Sequence, residues 1–277
     1  MAQDSGSGPI TVAALQMTSG PDVAANLEQA ARLLADAARA GARVAVLPEN
    51  FSFMGLADGD RRRVAEREGD GPVQQFLAQR SRELGLWIVA GTTPISEHSS
   101  ERPAAACLVY DERGERVARY DKIHLFDVDL PGRSESYRES ANIAPGSRTV
   151  LAPTPAGLLG LSVCYDMRFP EHYRPMVAAG AQWLSVPAAF TVPTGRAHWE
   201  VLLRARAIEN LSFVVAAAQW GRHASGRETF GDSIIIDYWG TVLARLPSGI
   251  GVITAALDLA AQEDTRRNFP ALSHRVS

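Results

Sequence analysis

Three polar side chains stand where apolar runs end. Glu49 closes VAVLPENF, Lys122 sits in RYDKIHLFD, and Cys164 lies in GLSVCYDMRFPE. Each run reads as a buried strand, and strand ends are where α/β sheets usually place their chemistry. A carboxylate, an ammonium and a thiol presented together can supply a general base, an oxyanion-stabilising cation and a nucleophile. That set points to acyl transfer out of a carbon–nitrogen bond. Singly, each residue has an ordinary structural explanation. A lone cysteine on an apolar strand is more often core than catalytic. A glutamate after proline commonly opens a helix or faces water, and a lysine between Asp121 and His124 is usually a solvated charge. The coincidence of the three favours chemistry.

The elements that must position them alternate along the chain. Residues 10–17 read as an apolar strand. A helix over 26–40 follows, with Leu27, Ala30, Ala31, Leu34, Ala37 and Ala38 at helical spacing and Gly41 just past its end. Residues 43–47 form a buried strand closed by Pro48 and Glu49. A helix over 73–84 leads into a strand over 86–91. A hairpin pairs 106–111 with 116–121 through a turn at Glu112, Arg113 and Gly114. Residues 126–147, rich in Asp, Pro, Gly and Ser, are expected as one long loop, and loops of that length are usually functional.

A second hairpin, turning through 154–157, feeds a strand over 158–164. Helix 170–179, strand 182–186 and helix 197–210 come next, the last with Trp199, Leu202, Leu203, Ala205 and Ile208 as apolar candidates. Strands over 213–218, 233–237, 241–246 and 252–257 complete the chain, with a turn at Trp239 and Gly240. There is no linker, repeat or break in composition, so one domain is expected over 10–277, after a disordered tail at 1–9. Crossovers and hairpins together imply an α/β protein with mixed pairing, as one mixed sheet or as two stacked sheets with helices outside.

Composition narrows the function. A chain of 277 residues, 46% hydrophobic and 21% charged, is an ordinary globular protein able to bury a sizeable core. Its net charge of −3 argues against a nucleic-acid partner. The basic triplet Arg61, Arg62 and Arg63 is followed by Glu66 and Glu68 and reads as a solvated helix face. No apolar stretch approaches a membrane span, so no membrane partner is expected. Two cysteines cannot build a disulfide framework and suit a reducing compartment. The first residues carry no apolar signal region, so a cytoplasmic location is expected. There is no phosphate-binding or dinucleotide glycine motif, no zinc-ligand spacing and no G-x-S-x-G elbow; six histidines are scattered. Neither a metal nor an organic cofactor is expected.

VLPENF, YDKIHLFDVDLPG and GLSVCYDMRFPE resemble, in order and spacing, the three signature blocks of the nitrilase, or carbon–nitrogen hydrolase, superfamily. The resemblance runs from LQMTSGPDVAANL to the final RRNFP. It implies an α-β-β-α sandwich of two mixed sheets flanked by helices, a Glu49–Lys122–Cys164 triad, and pairing into a homodimer or higher homo-oligomer. It also implies a second glutamate in the loop after the lysine block, which brings Glu139 of YRESANIAPGS into the site. AFTVPTGRAHWEVLLRARAIEN, VVAAAQWGRH and DYWGTVLAR are most similar to the deaminated glutathione amidase branch, with the ω-amidase branch as its near relative. The chain departs from common family patterns at 104–107, where it reads AAAC, and at Asp232 and Tyr238.

The resemblance implies a small carboxylate-bearing linear amide as substrate. Cys164 would attack its carbonyl, with Glu49 as general base and Lys122 expected to favour the thiolate. The oxyanion would rest against Lys122 and the backbone N–H of Tyr165. Glu49 would then protonate departing ammonia and activate water on the thioester, while Glu139 orients Lys122 or the substrate amide. Arg168, four residues after Cys164, suits a substrate carboxylate or a salt bridge to Asp166 or Glu171. Phe190 and Thr194 line the pocket or pack their loop. An α-ketoglutaramate amidase, a nitrilase, an N-carbamoyl amidase, a Cys–His hydrolase using His124 or His172, and a non-catalytic scaffold are the other readings.

Overall fold

The computed structural model describes residues 8–96, 101–129 and 136–276. The tail expected at 1–9 lies outside the described residues except for Gly8 and Pro9. In chain order the strands are β1 (Ile10–Gln16), β2 (Val44–Leu47), β3 (Trp87–Ile95), β4 (Ala104–Tyr110), β5 (Arg116–Asp121), β6 (Asp127–Asp129), β7 (Ser136–Arg138) and β8 (Leu151–Thr154). They continue as β9 (Gly157–Leu161), β10 (Trp183–Ser185), β11 (Phe213–Ala216), β12 (Trp220–Arg222), β13 (Glu228–Phe230), β14 (Ser233–Ile236), β15 (Val242–Leu246) and β16 (Gly251–Leu257). The helices are α1 (Val23–Arg39), α2 (Pro72–Leu84), α3 (Pro170–Ala178), α4 (Val192–Asn210) and α5 (Leu259–Asn268).

Two six-stranded mixed sheets result, ordered β16-β1-β2-β3-β4-β5 and β15-β14-β11-β10-β9-β8. Of the two arrangements open to the sequence, the stacked pair is the one found, and side-chain alternation shows why. In the first sheet Val12, Ala14, Val44, Val46, Val89, Cys107 and Val109 join one core with the second sheet. Their neighbours Ala13, Leu15, Ala45, Leu47, Ile88, Ala90, Ala106 and Leu108 join another core with Leu34 and Ala37 of α1 and Leu77 of α2. A sheet buried on both faces needs continuous apolar strands rather than alternating ones, which is what VAVL and VAAL supply. On the far side, Trp199, Leu203 and Ala207 of α4 and Tyr173 and Met176 of α3 cover the second sheet. The layers are therefore helix, sheet, sheet, helix.

Several boundaries move. The expected loop over 126–147 contains the antiparallel pair β6–β7, closed by a bidentate Arg138–Asp129 bridge at 2.8 and 2.9 Å. The strand expected over 158–164 stops at Leu161, and Cys164 opens a 3₁₀ turn over Cys164–Arg168. Helix α4 starts at Val192, with Pro193 in its first turn, where a missing N–H costs nothing. Two elements unforeseen in the sequence are the β12–β13 hairpin and α5, whose first turn is capped by Asp258 accepting from the Ala261 N–H at 3.0 Å. Among the described residues no helix is long and apolar enough to cross a membrane.

Candidate active site

Each triad residue leaves a strand at the same edge of the sandwich. Strands β1, β2 and β3 run parallel, and the antiparallel β3–β4 and β4–β5 pairs bring β5 back to their direction. Glu49 follows β2 and Lys122 follows β5. Gly91 makes room for the first of these exits, because a Cβ there would lie 1.9 Å from the Pro48 carbonyl oxygen. Gly146 does the same for the second, its Cβ position falling 2.1 Å from the Asp121 carbonyl oxygen while its N–H donates to the Lys122 carbonyl at 2.9 Å. Cys164 sits in a sharp turn between β9 and α3 with φ of 49°, in the left-handed region that ordinary residues avoid. Its N–H donates to the Pro187 carbonyl at 2.9 Å, docking the turn on the segment after β10. This strand–turn–helix geometry is one that can present a nucleophile, reached without the glycine-flanked serine motif.

The four polar groups converge. Lys122 Nζ donates to Glu49 Oε1 at 2.8 Å and to Glu139 Oε2 at 2.7 Å, and its side chain is only 2% exposed. Glu139 Oε2 also accepts from the Phe126 N–H at 2.8 Å, so the second carboxylate is itself fixed. Burial alone would push the Lys122 ammonium toward its neutral form, but the charges of Glu139 and Glu49 outweigh it and hold the proton on. Burial likewise works to raise the Glu139 carboxyl, and the Lys122 and Arg61 charges, with hydrogen bonds from Lys122 and the Phe126 N–H, keep it below the ordinary value.

Cys164 behaves differently from the sequence expectation. Burial first, then the Glu49 charge, push its thiol well up, against the opposing pull of Lys122 and of the Ala189 backbone N–H. The lysine's charge is already engaged by two carboxylates. At rest the Cys164 thiol is therefore neutral, so an attack by its sulfur would need a base to take the proton.

Beneath the cysteine turn, Asp166 ties the two sheets together. Its Oδ2 accepts from the Tyr120 hydroxyl at 2.7 Å and the Val163 N–H at 2.8 Å. Its Oδ1 accepts from the His124 N–H at 3.0 Å and His124 Nδ1 at 2.7 Å. Tyr120 and His124 flank Lys122; Val163 precedes Cys164. His124, Asp166 and His172 place ligand-capable atoms within 4.8 Å of one another, the only such group among the described residues. A carboxylate has about four acceptor sites, and all four here are taken, while His172 Nε2 donates to the Leu161 carbonyl at 3.2 Å. The group is a hydrogen-bond hub rather than a metal centre.

A cleft of about 520 Å³, partly open to solvent, lies over Cys164. Phe190 and Thr194 line it, as do Tyr165, Phe126, Tyr137 and Thr191. Arg168 is not among the lining residues. Its guanidinium lies behind the wall, 5.5 Å from the Phe190 ring and 5.8 Å from the Tyr165 ring, with Nη2 3.2 Å from His198 Nδ1. Neither Asp166 nor Glu171 pairs with it among the described residues. The arginines that do line the cleft are Arg61, Arg138 and Arg227. Arg61 belongs to the triplet read as a solvated face; Arg62 and Arg63 are exposed, but Arg61 turns inward and is half-buried. Arg227 comes from the unforeseen β12–β13 hairpin and carries no local signal.

Residues 11–267 match the carbon–nitrogen hydrolase family, and the chain belongs to it. Fold and family define an amidase of the nitrilase superfamily, an enzyme that hydrolyses carbon–nitrogen bonds of amides. The chain is 41% identical to the deaminated glutathione amidase of Yersinia enterocolitica over 264 residues, covering 95% of this chain and 92% of that one. It is 43% identical over 268 residues to the deaminated glutathione amidase of Bos taurus, covering 95% and 81%. Among solved structures it resembles the NitFhit protein of C. elegans, with a TM-score of 0.90 and 37% identity, over 97% of this chain and 65% of that longer one. It also resembles an amidase from Nesterenkonia sp. AN1, at a TM-score of 0.78 and 27% identity over 94% of this chain and 99% of that one. That structure, of a glutamate-to-glutamine variant, shows acrylamide added to the active-site cysteine.

Proposed function

We propose that the enzyme hydrolyses a carboxylate-bearing linear amide, foremost deaminated glutathione, through a thioester on Cys164. The observation that carries this reading is Lys122 Nζ, buried and clamped between Glu49 and Glu139 beside the Cys164 thiol. Glu49 takes the thiol proton as sulfur bonds to the amide carbon and the carbonyl electrons move onto oxygen. Lys122 and the backbone N–H of Tyr165 hold that oxyanion; losing one such donor typically costs about 2.7–4 kcal/mol. Collapse breaks the C–N bond, and the departing nitrogen takes the proton from Glu49. Glu49 then deprotonates water, which displaces sulfur and leaves a carboxylic acid and the thiol. Glu139 fixes the position of Lys122 throughout. The Arg61 and Arg227 guanidiniums give the cleft a positive lining suited to an anionic substrate.

The leaving group depends on the amide. A primary amide such as α-ketoglutaramate releases ammonia, whereas deaminated glutathione has a secondary amide and releases cysteinylglycine. The common product is the 2-oxo acid, and its release is the quantity to follow. At matched low concentration, deaminated glutathione should exceed α-ketoglutaramate at least tenfold in kcat/KM, about 1.4 kcal/mol. The reverse ratio would place the chain with the ω-amidases. Turnover persisting near the wild-type rate in Cys164→Ala would sink the mechanism.

We further propose that two copies pair through an apolar face around α4. Val201 is 68% exposed, Trp239 58%, Phe269 52% and Ile208 48%, and Trp239 packs on Phe269 with ring centroids 5.5 Å apart. Exposed apolar surface of this kind marks interaction sites. Light scattering should give twice the chain mass, and Ile208→Glu should halve it; a wild-type monomer refutes the pairing. Two free, buried cysteines, Cys107 and Cys164, suit work in a reducing compartment such as the cytoplasm.

A further inference from the structure

The cleft over Cys164 does not end at its mouth. A second cleft, about 650 Å³ with its open solvent, shares Arg61, Tyr137 and Arg227 with the first and continues past Met54, Leu56 and Ser225. Among the described residues no carboxylate lines it. The two shared arginines differ from Arg138, whose charge is met by both oxygens of Asp129. Arg61 reaches only the Asn50 side-chain oxygen, at 3.4 Å. Arg227 donates from Nη2 to the Ala189 carbonyl at 2.9 Å, lies 5.1 Å over the Tyr137 ring, and has a buried Nε with no hydrogen-bond partner. Among the described residues neither is in an ion pair. Two guanidiniums outside any ion pair among the described residues thus stand where the inner cleft opens into the outer one, Arg61 with only the Glu139 charge acting on it from the inner cleft, a fork geometry suited to a carboxylate.

The outer cleft also has a direction. Its floor is the segment soon after Glu49 in the chain, and Arg61 touches Asn50, the residue next to Glu49. In the reading proposed above, on which this inference rests, Glu49 gives its proton to the departing nitrogen. The outer cleft therefore lies on the leaving-group side, with the acyl half toward Tyr165, Phe190 and Thr194. We infer that the outer cleft is a subsite for the released amine, which is peptide-like and ends in a carboxylate held by Arg61 and Arg227.

The test uses three amides with the same 2-oxoglutaryl acyl group: the primary amide, the amide of cysteinylglycine, and the amide of cysteinylglycine with its terminal carboxylate capped as a carboxamide. Release of 2-oxoglutarate is followed for each with the wild-type enzyme, Arg61→Gln and Arg227→Gln. The free-carboxylate substrate should exceed the capped one at least tenfold in kcat/KM with the wild type. That ratio should fall toward one in both variants, whatever each substitution does to both substrates in common. A wild-type ratio near one with brisk turnover overturns the subsite and leaves the amidase reading standing. A high ratio that survives both substitutions overturns the assignment to these arginines. If none of the three is hydrolysed, the 2-oxo acid amide reading itself fails and the subsite with it. A variant that does not fold leaves the wild-type ratio as the deciding measurement.

Discussion

Asp166→Asn is the substitution whose cost the geometry constrains most tightly. Each carboxylate oxygen accepts two hydrogen bonds, one from an adaptable donor and one from a fixed backbone N–H. An asparagine amide must turn its NH₂ toward one of those pairs. Facing Tyr120 and Val163, it can donate to the tyrosine oxygen, but the Val163 N–H is stranded. Facing His124, it can donate to a ring nitrogen that has changed tautomer, but the His124 N–H is stranded. Neither flip avoids one orphaned buried donor, which costs about 1–3 kcal/mol, and the surviving bonds lose their charge assistance, roughly 1 kcal/mol each. A total of roughly 3–5 kcal/mol should lower the melting temperature by roughly 6–20 °C for a chain of this size. Because the same carboxylate spans the Lys122 flanks and the Cys164 turn, kcat should fall about 10–100-fold through misplacement, with KM little changed. Calorimetry and steady-state 2-oxo acid release measure both. A melting temperature within about 2 °C of wild type, together with an unchanged kcat, would refute the reasoning.

Glu139→Gln keeps an acceptor for Lys122 and Phe126 but removes a charge, so a drop of about 10–100-fold in kcat is expected, from roughly 1–3 kcal/mol of lost charge-assisted bonding. A change smaller than twofold would count against a positioning role. Glu49→Gln removes the base assigned to a thiol that burial keeps raised, so amide turnover should fall by about 10²–10⁴ in kcat. A fall smaller than about tenfold would contradict the general-base role. Burial holds His172 and His223 below their ordinary value of 6.5, so near neutral pH the unfolded chain binds more protons than the folded one. Their contribution is present above pH 6.5 and lost as the pH falls below it. The melting temperature should hold steady from about pH 8 to 7 and decline from about 6.5 to 5; a flat profile over the lower range would show the assignment mistaken.

Glu49, Lys122, Cys164 and Glu139 were legible as polar groups in telling places, three of them because apolar runs lead up to them. That Glu49, Lys122 and Glu139 share hydrogen bonds was not a local property; it came from the resemblance, since the spacing between strand ends is set by sheet order. The same limit explains the misses. Arg168 has two acidic neighbours in sequence, but Asp166 is saturated by Tyr120 and His124 from the other sheet, leaving the guanidinium to stack on aromatic rings. Arg61 and its two neighbours are chemically identical in the sequence, and only a cleft built by distant segments distinguishes the first. Helix α5 buries little besides Gln262, so it shows no apolar stripe to read. Strands β6 and β7 are three residues each, their middle residues Val128 and Tyr137 set among charged or polar neighbours, too short for a period of two to show.

Glu49 and Lys122 hang from one sheet and Cys164 from the other, so the reactive constellation exists only after the two sheets, the halves of the sandwich, have closed on each other. Either half could acquire its secondary structure first without acquiring any chemistry. A refolding chain should regain its far-ultraviolet ellipticity before it regains turnover, the interval being the time needed to dock the sheets. Until then the thiol is an unshielded cysteine, open to oxidants and to other unfolded chains. Premature collapse of one half would thus show itself as a covalent lesion rather than as a slow enzyme.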